Sequence, residues 1–242
     1  MVLQNDAENL RLLTSREEKI AMLKSLGADD VEQLEFTREI ASLRTADYLR
    51  LLCDRYAASA IVLGYDNRIG SDQLAPEDTA AIARSLGMEA VIVGATKVGG
   101  KSVSSTKIRN LIAAGGVREA SVLLGRNYSL PGIVVGGKRL GRAIGFPTVN
   151  LQPSDPLRLI PGEGVYLTSV RCLGREFFGM TNVRDVIETH IFDFDENIYG
   201  LDINVTFLER LRDEMDFSSV QELKNQLETD ELSAKKLIFE QY

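Results

Sequence analysis

Histidine occurs once in the 242 residues, at His190, and cysteine twice, at Cys53 and Cys172. A single histidine excludes a His-rich metal cluster. Two cysteines without paired spacing exclude a disulfide scaffold and a Cys-based zinc site, so a reducing compartment is the expected setting. No apolar run approaches the roughly 18 residues of a membrane span. The N-terminal MVLQNDAENL has no signal-peptide core. These absences predict a soluble cytoplasmic protein.

Hydrophobic residues make up 44% and charged residues 26% of the chain, ordinary values for a globular protein. At roughly 150 residues per domain, the length suits one large domain or two small ones. The net charge of −7 is unevenly spread. Residues 1–125 are close to neutral, residues 126–184 hold 8 basic against 3 acidic side chains, and residues 185–242 hold 5 against 15. A basic stretch inside an acidic protein suits a small anionic ligand better than duplex nucleic acid, which wants a broad basic face. Two solvated faces of opposite sign would explain the same numbers.

The first half alternates helical and strand periods. Thr14-Ser15-Arg16-Glu17 reads as a capping box ahead of Ile20, Leu23 and Leu26, with a stop at Gly27. Strands are expected at 31–36, 61–64 and 90–93, and helices at 45–56 and 78–86. Helices between short aliphatic strands indicate a parallel sheet of doubly wound type. Two further helices are expected from Ser104 and over 117–124. At Gly125 the texture changes to strands joined by Gly, Pro and Asn, over 132–135, 165–172, 176–180, 188–194 and 202–207. That pattern predicts an antiparallel sheet or barrel. A helix capped by Ser218 with Gln221, and another from Ser233, close the chain. The expected domains are 1–125, α/β, and 126–242, all-β with C-terminal helices.

Two Gly-Lys sites invite a phosphate-loop reading. Gly132 to Lys138 has the G-x-x-x-x-G-K spacing, but Arg139 stands where a Ser or Thr is needed for Mg²⁺. Gly100-Lys101-Ser102 has the ending, but Ala95 replaces the first glycine. Both are read as chance. A better candidate is the run Gly136, Lys138, Arg139, Gly141, Arg142, Gly145, Pro147, Thr148, Asn150. Glycines let backbone N–H groups approach an anion, cations neutralise it, and Thr and Asn supply hard oxygens for Mg²⁺ or polar contacts to a nucleotide. A basic β-hairpin with ordinary turn residues is the alternative.

The segment GRAIGFPTVNL, residues 141–151, closely resembles the G-R-x-I-G-F-P-T-A-N-L signature of the riboflavin kinase domain found in bacterial bifunctional riboflavin kinase/FAD synthetases. LLGRNYSLPGIVVGG before it and ETHIFDF, IYG and FLERLRDEMDFSSVQELKNQLETD after it resemble the same family, over roughly residues 10–230 in all. The resemblance implies a small antiparallel barrel plus a C-terminal helix, ATP and riboflavin as substrates, FMN as product, and Mg²⁺. It implies Thr148 as the Mg²⁺ ligand with Asn150 its partner near metal and phosphate. Gly136, Lys138, Gly141, Arg142, Gly145, Pro147 and Asn150 fall at the ATP, and Glu188 matches the catalytic carboxylate. A carboxylate in reach of the weakly nucleophilic riboflavin 5′-hydroxyl can take its proton while Mg²⁺ spreads the charge developing on the γ-phosphoryl. By its residue type alone, Glu188 is more commonly an exposed strand acid, and only the resemblance lifts it to a catalytic one. Arg212 matches a family residue near the flavin, and a surface pair with an acid would also place it. His190 faces the same way as Glu188 on an ideal strand and is expected to be structural.

In the first half, Ser104, Ser105, Thr106 and Arg109 resemble the S-S-T-x-I-R motif of the family's adenylyltransferase module, hydroxyls and N–H groups at a helix N-terminus forming a triphosphate cradle. A simple Ser/Thr cap would account for the serines but not for the arginine. Gly64-Tyr65-Asp66-Asn67-Arg68-Ile69-Gly70 resembles the family's G-x-D-F-R-F-G loop, with Asn67 and Ile69 in place of two phenylalanines. The family's H-x-G-H ATP motif has no counterpart, so the N-terminal half reads as an incomplete Rossmann-like nucleotidyltransferase. The chain is expected to be truncated, misstarted or stripped of that activity, with apolar sheet surface left bare. After Asn182, residues 183–187 replace a longer family loop that helps enclose the flavin. The reading is a riboflavin kinase with small-molecule partners, neither nucleic acid nor membrane. Residual FMN adenylyltransferase activity, or flavin or nucleotide binding without catalysis, are the alternatives.

Overall fold

The computed structural model describes residues 11–137 and 140–241, so Lys138 and Arg139 lie outside the described residues. Two compact units are formed, one of residues 22–103 and one of residues 11–21 with 104–241.

The smaller unit begins within α1 (Arg16–Ser25) and contains α2 (Arg38–Ser42), α3 (Thr45–Tyr56), β1 (Ala60–Gly64), α4 (Pro76–Ser85), β2 (Glu89–Val93) and the short hairpin β3 (Lys97–Val98) and β4 (Lys101–Ser102). Strands β1 and β2 pair in parallel, with Ile61 opposite Ala90 and Leu63 opposite Ile92. Helices α3 and α4 bury Leu49, Ala83 and Met88 with Ile61 and Ala90. The alternate residues Val62, Val91 and Val93 are 69%, 53% and 48% exposed. Parallel sheets are ordinarily covered on both faces, so this bare apolar face is unusual. Residues 31–36 are irregular rather than a strand. VEQLEF alternates as a strand does, but no described strand pairs with it, and an unpaired strand leaves its backbone groups unsatisfied. The N-terminal capping box is Ser15 with Glu18, one residue beyond the expected frame. The Glu18 N–H donates to Ser15 Oγ (3.2 Å), and the Ser15 N–H donates to Glu18 Oε2 (2.6 Å).

The larger unit is built on a closed six-stranded barrel in the order β10-β5-β6-β9-β8-β7, every neighbouring pair antiparallel. Its elements are α5 (Ser105–Ala113), α6 (Val117–Leu124), β5 (Tyr128–Val135), α7 (Leu140–Ala143), β6 (Val149–Pro153), β7 (Gly164–Cys172), β8 (Arg175–Val183), β9 (Ile187–Ile191), β10 (Asp202–Arg212) and α8 (Val220–Gln241). The two expected C-terminal helices are one, because nothing near Ser233 breaks the helix and its hydroxyl bonds back to the Thr229 carbonyl. Strand β6, absent from the sequence expectation, inserts between β5 and β9. Helix α6 packs on β10 and β5, so the compact unit begins at Ser104 although the change of sequence texture falls at Gly125.

Alternation along the barrel strands sorts the side chains onto two faces. Thr168, Thr181 and Thr189 are fully buried, and their hydroxyls form a ladder with 2.9 Å steps. The other face carries Leu167, Met180 and Leu208, which pack with Phe146, Phe192 and Ala234 of α8. At another part of the unit, buried Arg158 pairs with Glu18, donates to the Ser129 carbonyl and lies 5.2 Å over the Tyr128 ring. Tyr128 is fully buried and donates to the Leu159 carbonyl.

Burial pushes the Tyr128 phenol from its ordinary 10.0 up to about 12, against the opposing pull of the Arg158 charge. Below pH 10 both folded and unfolded chains hold the proton, and the stabilisation is complete. Between about pH 10 and about 12 the unfolded chain releases the proton first, so stability falls as pH rises through that window. Tyrosinate absorbance should therefore show Tyr128 ionising near pH 12 in the folded chain, and Tyr128→Phe should delete that late step and flatten the fall in Tm above pH 10. Complete ionisation of all seven tyrosines near pH 10 with the fold intact would contradict this.

Candidate active site

Strand β9 lies between β6 and β8, and the register sets Glu188 directly opposite Asn150 on one side and Asn182 on the other. Opposed residues of antiparallel strands share a face, so Asn150, Glu188 and Asn182 form one row. This is the face that α8 covers. Between barrel and helix lies a cleft of about 420 Å³, lined by Thr148, Glu188, His190, Arg212 and Gly141 together with Asn182. Its apolar lining comes from Ile144, Phe146 and Met180, from Met215 and Phe217 after β10 and from Leu223 and Leu227 of α8, while Arg184, Glu214, Asp216 and Ser219 also line it. Asn182 Oδ1 and Glu214 Oε2 are buried acceptors without a protein partner, both on residues that line this cleft. A buried unsatisfied acceptor is costly, and a ligand carrying donors relieves it.

A second cleft, of about 540 Å³, is lined by Arg142, Pro147, Thr148 and Val149 and by the 194–199 segment. Thr148 lines both clefts and marks where they meet. Two glycines let the chain close around this point. A Cβ on Gly141 would strike the Phe146 carbonyl oxygen, and a Cβ on Gly137 would strike the Asn150 amide. Close approach to backbone thus requires glycine at position 141, whereas a Cβ at position 137 would force the Asn150 amide to shift.

The sequence candidates sort clearly. Gly141, Arg142, Pro147, Thr148, Glu188 and Arg212 line one or both clefts. Asn150 is buried in the row beside Glu188, while Gly136 and Gly145 are exposed loop positions, and none of these three lines either cleft. Lys138 lies outside the described residues. Ser104 caps α5, its hydroxyl accepting from the Lys107 N–H, and Ser105 and Thr106 are exposed in the first turn. Arg109 donates to the Arg11 carbonyl (2.8 Å). In the smaller unit, Gly64 ends β1 with its N–H on Asn67 Oδ1, and Asp66 is exposed in the following turn.

Arg212 is in the cleft wall and also ion-paired, but the pair is buried rather than superficial. Its guanidinium meets both Asp230 carboxylate oxygens of α8 at 2.9–3.0 Å, and the two side chains are 15% and 5% exposed. Gln226 donates to the same carboxylate. Arg184, in the short turn before β9, reaches Asp216 (3.2 Å) and Glu214 (3.6 Å) in the segment after β10. Asn182, Arg184, Met215 and Phe217 escaped the sequence reading. Asn182 had a usable signal, because a tight β8–β9 turn pairing Val183 with Ile187 places it opposite Glu188.

The fold defines a two-part chain, a nucleotidyltransferase-like α/β unit followed by an antiparallel barrel of riboflavin kinase type with a C-terminal helix. The FAD synthetase family matches residues 1–107 and the riboflavin kinase family residues 124–238. Among curated relatives, the bifunctional riboflavin kinase/FMN adenylyltransferase of Listeria monocytogenes is 31% identical over 96% of this chain and 76% of its own. The Escherichia coli K12 protein of the same name is 33% identical over 93% and 75%. The chain belongs to the bifunctional riboflavin kinase/FMN adenylyltransferase family and spans about three-quarters of these relatives' length. A crystal structure from Streptococcus pneumoniae, described as a macrolide-efflux protein, is 33% identical with a TM-score of 0.85, over 92% of this chain and 75% of that one. Among the described residues here, no helix is long and apolar enough to cross a membrane.

The Arg212–Asp230 pair fastens α8 over the cleft, and losing one partner strands a buried charge. In urea denaturation Asp230→Ala should cost about 3 kcal/mol, and Arg212→Met combined with Asp230→Ala should cost less than Asp230→Ala alone. A double variant whose loss equals the sum of the single losses would show that the pair is not coupled.

Proposed function

We propose that the chain is a riboflavin kinase, transferring the γ-phosphoryl group of ATP to the riboflavin 5′-hydroxyl to give FMN and ADP. The observation that carries this reading is that Thr148 and Glu188 line one cleft, with Thr148 also lining the adjoining second one. The apolar cleft under α8 suits an isoalloxazine ring, with Asn182 and Glu214 offering acceptors to its polar edge or to ribityl hydroxyls. The second cleft, of mixed polar and apolar lining, suits the nucleotide, with Arg142 neutralising phosphate charge. Gly136, Gly141, Gly145 and Pro147 belong to the loop on that side, and Lys138 is assigned to the ATP by the family resemblance alone. The reading assigns residues 1–125 and 126–242 to separate functional modules, in a cytoplasmic enzyme whose Cys53 and Cys172 are free thiols.

Glu188 accepts the 5′-hydroxyl proton as that oxygen attacks phosphorus. The new P–O bond forms while the bond to the β-phosphate oxygen breaks, and ADP leaves with that electron pair. Backbone pairing with Asn150 and Asn182 fixes the position of Glu188 in its row on the cleft wall. Among the described residues no group of three or more His, Cys, Asp or Glu could cage a metal ion. Thr148 and Asn150 together offer hard neutral oxygens, which fits Mg²⁺ held chiefly by phosphates and water with one or two protein oxygens. When bound there, Mg²⁺ supplies charge neutralisation at the transferring phosphoryl group.

A second reading, adenylyl transfer from ATP to FMN, is favoured by the FAD synthetase match over residues 1–107 and by the exposed Ser105 and Thr106 at the start of α5. This reading requires an H-x-G-H segment, which the given residues, with their one histidine at position 190, do not include.

Incubation with riboflavin, ATP and Mg²⁺, followed by chromatography of the flavins, tests both. FMN formation is expected, FAD from added FMN would support the second reading, and saturable binding without turnover would overturn the kinase. Glu188→Gln should lower the FMN rate by about 10²-fold or more with unchanged thermal stability. A near-normal rate would remove Glu188 from proton transfer.

A further inference from the structure

The chain's only histidine has no part in the mechanism above, yet it sits inside the site. His190 follows Glu188 by two residues on β9, on the same face, and lines the apolar cleft. Its Nδ1 lies 2.8 Å from the Pro147 carbonyl oxygen. A carbonyl only accepts, so Nδ1 carries the proton, whether the ring is neutral or an imidazolium. That carbonyl belongs to the peptide unit leading into Thr148. Peptide units are planar, so holding the oxygen holds the plane from which the Thr148 side chain departs.

The ring itself has little freedom. Phe146 meets it edge-on at 5.3 Å and 66°, and Phe192 at 5.8 Å and 70°. Both phenylalanines are buried in the core cluster that includes Ala234 of α8. Phe146 also directly precedes Pro147, whose ring fixes its own φ and restricts the residue before it. The segment 146–148 is thus held by packing at Phe146, by ring closure at Pro147 and by the His190 N–H at the next peptide.

We infer that His190 is a positioning residue for the phosphate side of the reaction. It orients Thr148 through the Pro147 carbonyl and moves no proton of the substrate. This rests on the kinase reading of the site, and it adds a residue whose loss reaches the nucleotide side through the Pro147–Thr148 peptide although its ring lines the other cleft.

Two substitutions and one spectrum test it. His190→Leu keeps apolar packing against Phe146 and Phe192 but has no donor, whereas His190→Asn places an amide N–H near the position of Nδ1. His190→Leu should lower kcat/KM for ATP between about 10- and 100-fold, the scale of a small misplacement of a reacting group. His190→Asn should recover most of that loss, whatever change the altered cleft wall makes to the KM for riboflavin. Affinity for Mg²⁺ and ADP together, measured by calorimetry, should fall in His190→Leu and return in His190→Asn. Because there is one histidine, an ¹⁵N-labelled imidazole spectrum reads His190 without assignment and should show a proton on Nδ1. Equal behaviour of the two variants, a loss confined to riboflavin, or a neutral ring protonated on Nε2 alone would each overturn the inference. If the unsubstituted chain makes no FMN, the kinase reading fails, while the spectrum and the ADP affinities still decide the role of His190.

Discussion

The position of β9 in the closed barrel governs the site. Zippered between β6 and β8, it sets Glu188 against Asn150 and Asn182 on the α8 side and Thr189 among buried hydroxyls on the other. Side-chain direction alternates along a strand, so a slip of one residue would send Glu188 inward and Thr189 outward. The threonine ladder opposes such a slip. Thr168, Thr181 and Thr189 are fully buried and satisfy one another only in this register, and Thr168 also meets the Gly179 carbonyl. Closure adds a further restraint, because a barrel has no free edge along which one strand could shift without moving its neighbours. The placement of one carboxylate is thereby enforced by interactions on the opposite face of the same strand.

The uneven charge acquires a structural meaning from the ion pairs. Acidic side chains from residues 185–242 meet arginines at Arg118–Glu209, Arg175–Glu196, Arg184–Asp216, Arg210–Asp213 and Arg212–Asp230. Within the basic stretch over residues 126–184, Arg175 and Arg184 are therefore engaged with internal partners rather than waiting for an anion. Arg158, buried against Glu18 and Tyr128, belongs to this structural group. Arg142 differs from these, since it is exposed and lines the second cleft. Charge counting points to an anion site but cannot separate this arginine from those with internal partners, because the partners are distant in sequence.

The same distinction explains what could be read ahead of the structure. Helices α3, α4, α5 and α6 were legible because caps and 3.6-residue periodicity are local properties. Five of the six barrel strands were legible for the same reason. Strand β6 was not, because the alternation of VNLQ spans only four residues before Pro153, and its pairing with β5 and β9 is what makes it a strand. The converse error at residues 31–36 arises because alternation is present and a partner is not. At the site, the glycine-rich signature announced Gly141, Arg142, Pro147 and Thr148. The cleft's other wall, with Met215, Phe217, Leu223 and Leu227, exists only once α8 folds back across the barrel.

The short turn at 184–186 is where resemblance and structure bear on each other most directly. The resemblance implies a longer loop before β9 that helps to enclose the flavin. Here Arg184 reaches from that turn to Glu214 and Asp216, drawing the segment after β10 toward the cleft mouth. Met215 and Phe217 of that segment line the cleft. Enclosure thus passes from loop length to a charged clasp carrying apolar side chains. Ion pairs this exposed are individually weak and screened by salt. Met215 and Phe217, as apolar parts of the cleft wall, therefore offer more stabilisation to an apolar ligand seated there than the exposed ion pairs offer to the wall itself.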